Sequence, residues 1–76
     1  MKESLEAIIT SLVNEPSEVS INQVDGDKSI VFEVKVAISD MGKVIGREGR
    51  IAKAIRTIMK ALAVKEGKKI SVEFID

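Results

Sequence analysis

The segment Ser39-Asp40-Met41-Gly42-Lys43-Val44-Ile45-Gly46-Arg47-Glu48-Gly49-Arg50-Ile51 decides how this chain folds. Ser39 and Asp40 are good helix N-caps, because a short side-chain oxygen accepts a hydrogen bond from the free N–H groups of a first turn. They predict a short helix over Met41 to Ile45, which Gly46 breaks. A long helix is expected from about Gly49 to Lys65, with Gly67 placed to end it in the left-handed conformation. Two helices therefore meet at Gly46-Arg47-Glu48-Gly49, where the absence of a Cβ lets the backbone turn sharply and approach a ligand.

Upstream, Leu5, Ile8, Ile9, Leu12 and Val13 repeat at the spacing of an amphipathic helix. Pro16 ends it, since the residue before a proline is pushed out of the helical region. Val19 to Val24 reads as a strand and Ile30 to Val36 as a second, with Ile30, Phe32, Val34 and Val36 on one face. Asp25-Gly26 between them is a hairpin signal. A two-residue turn there sets Ile21 opposite Ile30 and Val19 opposite Phe32. Downstream, Ile70, Val72 and Phe74 alternate with Ser71 and Glu73 as a third strand.

The order is αββααβ. Strands two and three, joined by a helical crossover, should be parallel neighbours. The opposite sheet face carries Ser20, Asn22, Glu33, Lys35, Ser71 and Glu73 and should face water. The expected architecture is an α+β two-layer sandwich, a three-stranded mixed sheet with all helices on one face. No linker or repeat divides residues 1–76, so one domain is expected.

With no Cys and no His, the chain lacks disulfides, thiolate metal sites and the commonest acid/base group. No enzymatic constellation, cofactor or metal site is evident. The N-terminus has no signal-peptide run and no stretch is long enough to span a membrane. A cytoplasmic location is expected.

The formal net charge of zero hides an asymmetry. Residues 1–41 hold three lysines against eight acids; residues 42–60 hold Lys43, Arg47, Arg50, Lys53, Arg56 and Lys60 against Glu48 alone. Such a cluster is either an anion-steering patch or a solvated helix face. On a helical wheel Ile51, Ile55, Ile58 and Leu62 share one side of the long helix, and Arg50, Lys53, Arg56 and Lys60 the other. The basic face thus starts at the glycine loop and continues down the helix, as a groove tracking a nucleic-acid backbone requires. The glycines alone fit a structural turn better than a ligand loop, since punctuating the chain is the ordinary role of glycine. Phe32 and Phe74 fall on the inner sheet face, which argues against base stacking on aromatics.

Val44-Ile45-Gly46-Arg47-Glu48-Gly49, set between two helices, resembles the V-I-G-x-x-G signature of KH domains, and αββααβ resembles their type II arrangement. Asp40 to Arg56 is similar to the D-M-G-K-V-I-G-x-x-G-R-I-A-K-A-I-R block of stand-alone bacterial KH proteins. The resemblance covers essentially the whole chain. It implies a non-enzymatic binder of single-stranded RNA, acting as a post-transcriptional regulator or RNA chaperone. Gly46, Arg47, Glu48 and Gly49 would clamp the RNA backbone, Val44 and Ile45 would help wall a shallow apolar groove for the bases, and Lys43, Arg50 and Lys53 would add charge. It also implies self-assembly and a larger KH-containing partner protein.

A protein-interaction or dimerisation module, with the loop only a turn, is the alternative function. Ala52, Met59 and Ala63 form a flank of the long helix with little side-chain bulk. There we expect a homodimer interface, unless Met59 packs on the first helix within one monomer.

Overall fold

The computed structural model describes residues 1–75. Helix α1 spans Lys2–Leu12, strand β1 Ser20–Asp25, strand β2 Ser29–Lys35, helix α2 Met41–Ile45, helix α3 Arg50–Lys65 and strand β3 Lys69–Ile75. Short 3-10 turns lie at Pro16–Glu18, Ile38–Asp40 and Arg47–Gly49. The sheet order is β1-β2-β3, with β1 antiparallel and β3 parallel to the central β2. This is the expected α+β sandwich with a mixed sheet. Gly67 ends α3 at a φ of 66°, with Lys68 N–H donating to Ala63 C=O and Gly67 N–H to Val64 C=O. That pair of bonds satisfies carbonyls the helix end would otherwise leave unpaired.

The core forms between the helices and the inner sheet face: Leu5, Ile9 and Val13 meet Ile21, Ile30, Phe32, Val34, Val36 and Val72, with Val44, Ile55 and Met59 from α2 and α3. Alternation along β2 puts Ile30, Phe32 and Val34 inward, as the period of two demands.

The hairpin register differs from the expected one. Ile21 pairs with Val34 and Asp25 with Ile30, while Gly26 N–H donates to Ser29 C=O across Asp27 and Lys28. The tight turn is thus two residues further along, and Gly26 has no positive φ. The two registers differ by four positions, an even slip that leaves every side chain on the same face. The observed one lets β1 run alongside buried Val34 and sets Asn22 opposite Glu33, whose carboxylate accepts the Asn22 amide at 2.8 Å.

Helix α3 is also rotated relative to the wheel reading. Its buried stripe is Ala52, Ile55, Met59 and Ala63, whereas Ile58 is 48% exposed. Ala52 and Ala63 are small enough to let α3 lie close to its neighbours, with Met59 filling the space between them. The flank expected to join two copies is therefore inside the monomer, and a homodimer cannot form on it.

Met59→Ala should cost about 2–5 kcal/mol in urea unfolding, as buried Met truncations do. Ile58→Ala, at the half-exposed position, should cost less than about 1 kcal/mol.

Candidate nucleic-acid interface

The glycine loop is built by backbone geometry. Gly46 ends α2 at φ 77° and ψ 173°. Its N–H donates to Gly42 C=O at 2.9 Å, and its C=O accepts the Gly49 N–H at 3.1 Å. A Cβ at Gly46 would lie 2.6 Å from Ile51 Cγ1 and 2.9 Å from the Ile51 amide nitrogen, so no other residue fits without moving α3. Glu48 and Gly49 then take left-handed conformations, at φ 58° and 73°. Glu48 is the one non-glycine among the described residues with positive φ, a conformation that costs a side-chain-bearing residue about 1 kcal/mol or more.

This geometry projects Arg47 and Glu48 into solvent between two anchored helices. No side chain caps the first turn of α3; the Arg50 N–H donates to Arg47 C=O, and the positive end of the helix dipole faces the loop. Arg50 and Lys53 are exposed beside it. Among the described residues, Arg47 and Lys53 ion-pair with no carboxylate, while Arg50 Nη2 lies 3.3 Å from Glu48 Oε2.

The other expected site residues are placed differently. Val44 is fully buried, so it anchors α2 in the core and offers no groove wall. Ile45 is half-buried against the same core. Lys43, its side chain 44% exposed, pairs with Asp40 at 3.4 Å.

Asp40 itself departs from its expected role. It occupies the N-cap position of α2 but makes no cap hydrogen bond. Its buried carboxylate instead accepts the N–H groups of Asn14 at 3.1 Å and Glu15 at 2.9 Å. Asp40 thereby ties the end of α1 to the start of α2 and fixes the helix that carries the loop. The Asn14 hydrogen bond, with those of Glu15 and Lys43, holds its pKa below the ordinary carboxylate value against the opposing effect of burial.

Arg56, read as part of the open basic face, folds onto the sheet. Its Nε donates to Val72 C=O at 3.0 Å and its guanidinium sits 5.5 Å from the Phe74 ring centre. It covers part of the free edge of β3. This contact reveals a feature that periodicity could not: a groove between α3 and that edge, lined by Arg56, Lys60, Ile70, Ser71 and Val72. It widens into a space of about 330 Å³ bounded by Lys60, Val64, Lys68, Lys69 and Ile70. Its rim is basic and its floor apolar. Arg56 is six residues along α3 from Arg50, so the groove begins about 9 Å below the loop. A separate cavity, lined by Glu3, Glu6, Ala7, Thr10, Pro16 and Val19, carries carboxylates and would repel a phosphate.

The family model described as KhpA/KhpB, KH domain matches residues 2–74. The chain belongs to the KhpA/KhpB KH-domain family. It is 59% identical over 75 residues to the RNA-binding protein KhpA of Clostridium perfringens, covering 99% of this chain and 100% of that protein. To the RNA-binding protein KhpA of Clostridium acetobutylicum it is 60% identical with the same coverage. At greater distance, the RNA-binding protein KhpA of Chlamydia trachomatis is 43% identical over all of this chain and 97% of its own length. The αββααβ order and the mixed sheet are those of a type II KH fold. No helix among the described residues is long and apolar enough to cross a membrane.

Asp40→Asn should lower the melting temperature at neutral pH by several degrees. A carboxylate whose folded-state pKa is depressed stabilises the fold above its unfolded pKa, here the ordinary 3.8. That contribution is lost as the pH falls below 3.8 through the folded-state value. The gap between wild type and Asp40→Asn should therefore narrow in acid, measured by thermal melts from neutral pH downward.

Proposed function

We propose that this chain is a non-enzymatic, cytoplasmic RNA-binding protein that grips single-stranded RNA through Gly46-Arg47-Glu48-Gly49 and the start of α3. The observation that carries this reading is the coincidence at one place of a bare backbone turn, an uncapped helix N-terminus and the exposed cations Arg47, Arg50 and Lys53. An extended anionic chain has there the positive end of a helix dipole, charge to release counterions, and two glycines that let the backbone come close. The α3–β3 groove, with half-buried Ile70 in its floor and exposed Val64 at its edge, is suited to the bases that follow. Its lysines serve the backbone on either side. Relatives named RNA-binding proteins along their full length support the same reading.

Contacts of this kind go to phosphate and carry little sequence information. Weak, sequence-tolerant binding suits a post-transcriptional regulator or RNA chaperone acting on many transcripts. Since Ala52, Met59 and Ala63 are buried, a homodimer or a complex with a larger KH-containing protein would have to use other apolar side chains. Ile58, at 48% exposure, and Val64, at 75%, are the ones α3 leaves open.

Replacing Arg47 and Glu48 with two aspartates should abolish binding to short single-stranded RNA and leave the far-ultraviolet circular dichroism spectrum unchanged. Both residues are exposed, so the fold should shift by no more than about 0.5 kcal/mol each. Wild-type affinity in the folded double variant, measured by fluorescence anisotropy at fixed salt, contradicts the clamp.

A further inference from the structure

A carboxylate inside a phosphate-gripping loop needs an explanation, and the geometry of Glu48 supplies one. Residues two apart on a regular helix do not face each other. The left-handed conformations at Glu48 and Gly49 double the chain back, so that Glu48 Oε2 comes within 3.3 Å of Arg50 Nη2. Side chains at this pair are 71% and 78% exposed. In water such a pair adds little to fold stability. Its effect is felt instead at the ligand, because a guanidinium presents carboxylate and phosphate with the same fork of donors.

We propose that Glu48 is a built-in competitor for RNA phosphate, holding Arg50 in the free protein and yielding it when RNA arrives. Binding then exchanges an internal carboxylate for a phosphate rather than adding a new ion pair. Affinity is lowered, and on dissociation Glu48 takes Arg50 back. The inference rests on the loop being the RNA clamp. It makes Glu48 the residue that sets how tightly the clamp closes, and a chain lacking this carboxylate would hold RNA longer.

The test is a double-mutant cycle. Anisotropy titrations of a short fluorescent oligouridylate at one fixed salt concentration compare wild type, E48Q, R50A and E48Q/R50A, each checked by thermal melting. Glutamine keeps the length and shape of the side chain and removes its charge. E48Q should bind about two- to five-fold tighter than wild type, the reach of an exposed ion pair. In the R50A background the same substitution should change affinity little, because there is no guanidinium left to release. No gain from E48Q overturns the proposal. A gain of equal size with and without Arg50 also overturns it, since Glu48 would then simply repel RNA. Failure of the underlying reading looks different. A wild-type chain that ignores the oligonucleotide, or binds it equally well after R47A, removes the clamp itself. Binding that needs Arg47 but is indifferent to E48Q removes only the competitor.

Discussion

The contact between Gly46 and Ile51 is the constraint on which the candidate site depends. With φ at 77° and a Cβ position already filled by Ile51, Gly46 lets α3 start directly against the end of α2. Both helices are anchored on their far sides, α2 by buried Val44 and the Asp40 tie to α1, α3 by Ile55 and Met59 in the core. The four-residue connection is consequently strung between two fixed points, and its side chains have nowhere to go but outward. A rigid frame that presents a short exposed loop is a common way for folds to carry binding residues.

Much of this was legible in the sequence, and the failures have physical causes. The bounds of α2, the crossover that makes β2 and β3 parallel, the inner face of β2 and the left-handed stop at Gly67 all follow from local rules. Hairpin register does not, because an alternating pattern is indifferent to a slip of four. The rotation of α3 was missed because a wheel weighted by bulk favours Ile58 over Ala52 and Ala63. Packing selects by fit, and a narrow interlayer space prefers small residues flanking one adaptable Met. The candidate loop was found by its glycines. The groove beside it was not, since it arises from Arg56 folding onto the edge of β3, a contact sixteen positions away along the chain. Asp40 was seen as a cap and turned out to be a tether, as a carboxylate satisfies whichever free N–H groups the tertiary structure brings nearest.

The charge pattern acquires meaning only in three dimensions. A chain with twelve cations and twelve anions has no long-range bias toward nucleic acid. Folding segregates them: the cavity beside α1 carries Glu3 and Glu6, while α3 and its loop carry all three arginines with Lys53, Lys60 and Lys65. Within the basic region three cations are already engaged, Lys43 by Asp40, Arg50 by Glu48 and Arg56 by the Val72 carbonyl and the Phe74 ring. Among the described residues Arg47, Lys53 and Lys60 are left without such a partner, so a simple count of basic residues overstates the charge open to a phosphate.

The most direct test of the central claim is an amide-resolved NMR titration of the protein with a short single-stranded RNA. The loop-clamp account expects the largest shift changes at the backbone amides of residues 46–53, followed by those lining the α3–β3 groove from Arg56 to Ile70. The outer sheet face, including Asn22 and Glu33, should be nearly unchanged. Changes concentrated on the outer sheet face or on α1, with the amides of residues 46–53 silent, would contradict it.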